Sequence, residues 1–275
     1  MSFPPVFVIN LDRDAERLAH MRAQLEGQGI PFERMPAVLG ASLTPEEIKR
    51  VHPDNYFWLY RRFSTPGELG CTLSHWNVMR EIVARGLDGA AIMEDDVTLA
   101  PDFANVLRAA PSLGYDVVKL EGLPWMGHYY QRKIGELGAR ALYLPRYPAV
   151  GAAAYYVSNK AAQIFLDVIV PVIEPVDHTV IDYARHDFTF AEVFPYPALQ
   201  PRIVTANEQE RIEKRKEKPS ASYKWRKRAH KAARRWRQRL YEMRHLGVWT
   251  LFTPQEKSER SRAALDRAFN ASKPT

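Results

Sequence analysis

Three consecutive carboxylates, Glu94-Asp95-Asp96, close the apolar run Gly89-Ala90-Ala91-Ile92-Met93. Adjacent acids repel one another, and burying even one unpaired charge costs several kcal/mol, so the cluster calls for a cation. An all-oxygen ligand set suits a hard divalent ion, Mg²⁺ or Mn²⁺. Side chains alternate along a strand, which puts Glu94 and Asp96 on one face and Asp95 on the other. The competing reading is a solvated acidic turn that caps the helix after Pro101. Arg13 and Arg17 stand four residues apart, so on a helix they project from one face, and guanidinium forks suit phosphate. The alternative is that Arg17 pairs with Asp14 or Glu33. Ser74 and His75 fall at an expected helix start, where backbone N–H groups favour anions, or else they serve packing alone.

The elements that must position these groups read as an α/β chain. Val6-Phe7-Val8-Ile9-Asn10 is an apolar, β-branched strand. A helix follows from Asp12-Arg13-Asp14 to about Gln28, with Leu18, Met21 and Leu25 on one face. Ile30 to Met35 reads as a second strand, and the β-α-β opening predicts a parallel sheet. The glycines of Gly67-Glu68-Leu69-Gly70 allow a tight loop or a close backbone approach, leading into the helix that carries Ser74 and His75 in its first turns. That helix feeds the acidic strand, whose polar end belongs at the carboxyl edge of the sheet, where open α/β folds bind ligands. Further strands are expected at Asp116 to Glu121 and Val150 to Ser158. A loop and hairpin are expected at 125 to 140, and helices at Asn159 to Val168 and Thr179 to Ala184, with Pro175-Val176-Asp177-His178 as a turn. The Pro-punctuated segment Phe194 to Pro201 closes the domain.

The chain has 275 residues, 46% of them hydrophobic, enough for a sizeable core. One cysteine, Cys71, rules out internal disulfides and a Cys-rich zinc site, and suits a reducing compartment. The first residues carry no basic region or apolar stretch of the secretory kind, and no window is apolar for 18 residues. A cytosolic location is expected. No P-loop, G-x-G-x-x-G or G-x-S-x-G motif occurs.

The net charge of +7 is unevenly spread. Between Glu210 and His245, 15 Lys and Arg face 4 Asp and Glu, a balance of +11, so the rest of the chain carries 24 against 28. In that segment Trp225, Ala229, Ala232, Trp236, Leu240 and Met243 recur at spacings of three and four, flanked by Lys214-Arg215-Lys216, Lys224, Arg226-Lys227-Arg228, Lys231 and Arg234-Arg235. Basic residues beside a Trp-bearing stripe describe an interfacial helix on anionic lipid through residues 210–245. A helix packed on its own acidic domain and a nucleic-acid-binding arm are the alternatives; no nucleic acid is expected. Val248 to Phe252 adds a possible apolar anchor, and after Pro254 the chain turns polar and is expected to fray.

Five patterns occur in order: V-I-N-L-D-R with Arg17 four residues beyond its arginine, G-E-L-G-C-T-L-S-H, I-M-E-D-D-V, A-Y-Y-V-S and P-V-D-H. Together they resemble glycosyltransferase family 25, which includes lipooligosaccharide galactosyltransferases of bacterial envelopes. The resemblance covers about residues 4 to 200. It implies a GT-A-like nucleotide-sugar-binding fold over residues 1–208, with 209–275 a basic helical tail. It also implies an inverting transfer of a hexose, galactose or glucose, from a UDP-sugar to a glycan or glycolipid acceptor of lipopolysaccharide type. A divalent cation, Mn²⁺ or Mg²⁺, is implied at Glu94 and Asp96, with His178 as a distal ligand. E-D-D departs from the usual D-x-D, which leaves open which acid meets metal and which, such as Asp95, meets ribose. Asn10 and Leu11 would line the nucleobase pocket, Arg13 and Arg17 the phosphates, and Ser74 and His75 the donor. An inverting transfer needs a base, and Asp177 and Glu121 are the candidates. The enzyme would act at the inner face of the cytoplasmic membrane. A metal-dependent phosphotransferase or nuclease using the acidic cluster, and a nucleic-acid-binding protein acting through the tail, are the rival readings.

Overall fold

A computed structural model describes residues 2–60, 62–123, 128–200 and 220–259, together with Ala263, Asp266 and Phe269. The basic run Lys214-Arg215-Lys216 and the 208/209 boundary lie outside the described residues. The first half contains β1 (Val6–Asn10), α1 (Ala15–Gly27), β2 (Glu33–Pro36), α2 (Pro45–Val51), β3 (Tyr56–Phe57), β4 (Arg62–Phe63), α3 (Pro66–Ala84) and β5 (Gly89–Glu94). Next come β6 (Thr98–Leu99), α4 (Phe103–Ala109), β7 (Val117–Lys119), β8 (His128–Leu137), β9 (Arg140–Pro145), β10 (Ala154–Ser158) and α5 (Asn159–Ile169). The remainder holds α6 (Val176–Thr179), α7 (Tyr183–His186), β11 (Phe190–Phe194), β12 (Ala198–Leu199), α8 (Ala221–Leu246) and β13 (Glu256–Glu259).

The architecture is α/β. Nine strands make one sheet in the order β13-β8-β9-β11-β7-β10-β5-β1-β2. The pairings run β2, β1, β5, β7, β11 and β8 in one direction, and β10, β9 and β13 in the other. β1 is buried along its whole length, as the apolar run dictates for a strand covered on both faces. Its alternate residues feed two cores. Val6 and Val8 pack with Met21 and Leu25 of α1 and Phe103 and Leu107 of α4. Phe7 and Ile9 pack with Val78, Met79 and Ile82 of α3 and Ala161 and Phe165 of α5. The sheet is therefore the middle of three layers.

Helix α3 begins earlier than the glycines suggest. Thr65 caps it, accepting from the Glu68 amide while the Glu68 carboxylate accepts from the Thr65 amide, and Pro66 takes the first turn. Ser74 and His75 therefore sit in the third turn, where their amides belong to the helix. Of the two roles open to the glycines, Gly70 takes close approach: a Cβ there would lie 2.5 Å from the Val38 carbonyl oxygen. The P-V-D-H stretch is likewise not a turn. Val176-Asp177-His178-Thr179 forms the one-turn helix α6.

The C-terminal segment is part of the same packed body. Tyr241 of α8 is buried against Tyr183, and its hydroxyl donates to the Phe188 carbonyl. Gln238 and Glu242 are buried beside it, and Arg132 pairs with Glu242 at 3.3 Å. Beyond Pro254 the chain does not fray at once; residues 256–259 pair as β13 with β8 at the sheet edge. Among the described residues no helix is long and apolar enough to cross a membrane.

Candidate active site

Strands β1 and β5 run parallel, so Asn10 and Glu94 emerge side by side at their carboxyl ends. A cleft of about 620 Å³ lies over these ends. Its walls include Asn10, Leu11, Arg13 and Arg17 after β1, Ser74 and His75 of α3, all of Glu94-Asp95-Asp96, and Asp177. Arg13 precedes the Asp14 cap of α1 and Arg17 follows it, so the two reach the cleft from a loop and a helix rather than from one helix face.

The acids divide by face as strand alternation requires. On one side, the Asn10 amide donates to Asp95 Oδ2 at 2.6 Å and to the Asp14 carbonyl at 2.9 Å. Arg34 Nε donates to Asn10 Oδ1 at 2.9 Å, which locks the amide, and Arg17 lies 3.5 Å from Asp95. Burial pushes the Asp95 carboxyl above its usual range, although Asn10 and Arg17 oppose it. Arg17 thus pairs with Asp95, while Glu33 is taken by Arg85.

On the other side, His75 Nε2 lies 3.2 Å and the Cys71 thiol 3.5 Å from Glu94 Oε1. The second imidazole nitrogen meets the Tyr155 hydroxyl at 2.9 Å. Gln200 Nε2 donates to Glu94 Oε2 at 3.1 Å and to the two Asp96 oxygens at 3.0 and 3.2 Å. Burial raises Glu94, but the His75 hydrogen bond and charge outweigh it and hold the carboxyl below its usual range. Asp96 goes the other way: burial first, then the Glu94 charge, push it up to about 6. Burial and the nearby Glu94 and Asp177 charges push the Cys71 thiol up.

Three carboxylate oxygens therefore converge on one point, the Gln200 amide nitrogen. A hard cation held by two carboxylates, with phosphate oxygens and water completing its shell, suits that convergence. His178 does not take part. Its ring meets that of Tyr60 at a tilt of 58° with 5.2 Å between centroids, and it is absent from the cleft wall that Asp177 lines. Among the described residues the three ligand atoms that gather within 4.8 Å are those of Cys71, His75 and Glu94.

The two candidate bases also part company. Asp177 lines the cleft, and its Oδ1 is buried without a hydrogen-bond partner among the described residues. Glu121 is 0% exposed and lies behind the wall. It accepts from the Ala153 amide at 3.3 Å and Lys119 Nζ at 3.4 Å, and Lys119 also donates to the Gly151 carbonyl at 2.5 Å. Burial pushes Glu121 up to about 7. Gly151 separates it from the cleft, with φ +118 and no room for a Cβ, which would come within 2.7 Å of the Glu121 carboxylate. A carboxylate that ends a strand can face inward as well as outward, and Glu121 faces inward. Ser74 spends its hydroxyl on the fold, donating to the Gly70 carbonyl at 2.6 Å and accepting from the Val38 amide at 2.8 Å.

Sequence reasoning missed Gln200, Tyr155 and Cys71 as members of this network. Cys71 had a signal, because it stands four residues before His75 on one helix. Tyr155 lay inside the A-Y-Y-V-S pattern without being singled out, and Gln200 had no signal, since it arrives from a distant element.

The family model for glycosyltransferase family 25 (LPS biosynthesis protein) matches residues 3–180. The chain is 32% identical over 162 residues to procollagen galactosyltransferase 1 of Danio rerio, covering 56% of this chain and 26% of that protein. It is 30% identical over 211 residues to procollagen galactosyltransferase 1-B of Xenopus laevis, covering 68% and 33%. It is 35% identical over 137 residues to the inactive glycosyltransferase 25 family member 3 of Mus musculus, covering 48% and 22%. Each match thus spans a third or less of the relative's own length. Among solved structures, a glycosyltransferase involved in the glycosylation of the major capsid of PBCV-1 matches with a TM-score of 0.43 and 12% identity, over 77% of this chain and 98% of that one. The matched stretch contains every cleft residue named above except Gln200, so site and family fall in one segment, and the chain belongs to glycosyltransferase family 25.

Proposed function

We propose that the chain is an inverting, GT-A-like hexosyltransferase that moves galactose or glucose from a UDP-sugar to a hydroxyl of a glycan acceptor. The observation that carries this reading is Asp177, a half-buried carboxylate that lines the same cleft as Arg13, Arg17 and the Glu94–Asp96 pair and has one oxygen without a hydrogen-bond partner among the described residues. In this mechanism Asp177 accepts the proton of the acceptor hydroxyl. The freed oxygen attacks the anomeric carbon as the bond to the β-phosphate oxygen breaks on the opposite face, and UDP leaves with the electron pair. Arg13 and Arg17 meet the charge that develops on the phosphates. A divalent cation, Mn²⁺ or Mg²⁺, held by Glu94 and Asp96 would add Lewis-acid stabilisation of that charge when bound. Asn10, Leu11 and Asp95 take the nucleoside end.

The procollagen galactosyltransferases among the relatives make galactose the first sugar to test, and the family description supports a lipopolysaccharide-type acceptor. An inactive relative makes turnover itself the question. Calorimetric titration of UDP, with and without Mn²⁺, into wild type and Asp96→Ala is the direct test. Mn²⁺-dependent binding that Asp96→Ala loses is the expected result; absence of UDP binding in wild type under both conditions would sink the reading.

In the same reading the enzyme docks peripherally on anionic lipid at the cytoplasmic membrane face. Support comes from α8, whose body-facing side holds Gln238, Tyr241 and Glu242 while Trp225, Trp236 and Leu240 stay exposed. Val248, Trp249, Leu251 and Phe252 extend the exposed apolar set, and Lys224, Lys227, Arg228, Lys231 and Arg235 are exposed along the same helix. Each basic residue near anionic headgroups contributes about 1 kcal/mol.

A further inference from the structure

We propose that Cys71, His75 and Glu94 form a cation site of their own in the floor of the cleft, selective for a borderline-soft divalent ion of the Zn²⁺ class. The site is defined by side chains already in place and does not depend on the transferase reading. Glu94 Oε1 lies 3.2 Å from His75 Nε2 and 3.5 Å from Cys71 Sγ. Tetrahedral zinc, with bonds of about 2.0–2.3 Å, separates its ligand atoms by roughly 3.3–3.6 Å. Two of the three separations are therefore already near coordination distance, and the third, between Cys71 and His75, lies within 4.8 Å.

Its scaffold is rigid. Cys71 and His75 stand one turn apart on α3, which is capped by Thr65 and pressed on residues 38–40 through Gly70; Glu94 ends a buried strand. Tyr155 supplies the outer partner that a ligating histidine usually has, holding Nδ1 at 2.9 Å so that Nε2 is the metal-facing nitrogen. Thiolate and imidazole select Zn²⁺ or Co²⁺ over Mg²⁺. The ion replaces the thiol proton that now points at Glu94, so its uptake releases a proton. All three side chains line the cleft, which leaves the fourth coordination position open to water or a ligand oxygen. The site uses Oε1 of Glu94, whereas Gln200 and Asp96 gather at Oε2.

Cys71 is the one cysteine of the chain, so any thiolate–metal signal belongs to this site. Co²⁺ titrated into the full-length protein is the probe. The expected result is a near-ultraviolet thiolate-to-cobalt charge-transfer band that saturates at one ion per chain. Stoichiometric Zn²⁺ removes it and excess Mg²⁺ does not. Cys71→Ser and His75→Gln abolish the band, while Asp96→Ala keeps it even as that variant loses Mn²⁺-dependent UDP binding. In unaltered protein, Zn²⁺ slows alkylation of Cys71 at least tenfold. A folded wild type that shows no band, or a band that persists in His75→Gln, overturns the proposal. So does unchanged alkylation with Zn²⁺. None of these outcomes bears on UDP binding, so the two readings fail separately.

Discussion

Asp96 is a carboxylate kept charged against its surroundings. Its folded value of about 6 exceeds the ordinary 3.8, so the unfolded chain releases this proton first as pH rises. The resulting penalty is absent below about pH 4, grows through pH 6 and is complete above it. Asp96→Asn, which still accepts from Gln200, therefore raises unfolding free energy by about 1–3 kcal/mol at pH 7 and leaves it unchanged near pH 3.5, read by urea denaturation at both pH values. If the proposed function holds, the same substitution is expected to remove metal-assisted UDP binding. In wild type that binding is then expected to weaken about tenfold for each pH unit below 6, because a cation held by Asp96 must displace its proton; calorimetry between pH 5 and 7 measures it. On the proposed mechanism Asp177→Asn is expected to lower kcat by about 10²–10⁴ with UDP affinity intact, since a base acting on the acceptor leaves the nucleotide untouched; turnover assays and calorimetry read the two. At this scale the sequence located much of the cleft wall: Asn10, Arg13, Arg17, His75, Asp177 and the three acids all reach it. It did not distinguish inward from outward at Glu121 and His178, because a strand end or a short turn fixes a neighbourhood and not a direction. Nor did it announce Gln200, which meets Glu94 across 106 positions.

Helix α3 ties one wall of the cleft to the fold. Its contact with the 38–40 segment is backbone against backbone, so there is no side-chain end to move aside. Gly70→Ala is expected to cost about 1–3 kcal/mol or more and to weaken UDP binding by displacing residues 38–41, which line the cleft; urea midpoints and calorimetry test both. Thr65→Ala, which removes a cap and leaves packing alone, is expected to cost about 1 kcal/mol. The helix start was present in the sequence as Thr65-Pro66-Gly67-Glu68, a capping box with proline in the first turn. The glycines at 67 and 70 concealed it, because they suit a tight loop as well as a close backbone approach. The rest of the α/β layering was legible because β1 and β5 are continuous apolar runs and α1 keeps Met21 and Leu25 on one face. The hairpin β8–β9 was legible only as a region, since its strands mix charged and apolar residues without strict alternation.

Over the whole molecule, α8 has two faces with different tasks. Tyr241→Ala is expected to destabilise the protein by about 3–5 kcal/mol, since the ring packs on Tyr183 and its hydroxyl holds the Phe188 carbonyl. Replacing Trp225, Trp236 and Phe252 together by Ser is expected to change stability by less than about 1 kcal/mol, because the three are 71%, 69% and 84% exposed. That triple variant should lose cosedimentation with phosphatidylglycerol vesicles; retained binding would refute docking through this face. Composition marked the segment as basic and amphipathic, but could not say that the tryptophans turn outward while Gln238, Tyr241 and Glu242 turn inward. The packing of this segment also bears on how the protein is made. Tyr223 hydrogen-bonds to Leu59 across 164 positions, and β13 supplies the partner of β8 at the sheet margin. A ribosome therefore synthesises everything up to residue 256 before that margin is covered. Until then β8 stands as an open edge with unpaired amides and carbonyls, which invites pairing between nascent chains. Shortened chains that stop before residue 220 should accumulate as aggregates even though their cleft is complete, and synthesis at low temperature or with a holding chaperone should matter more to yield than any residue of the cleft.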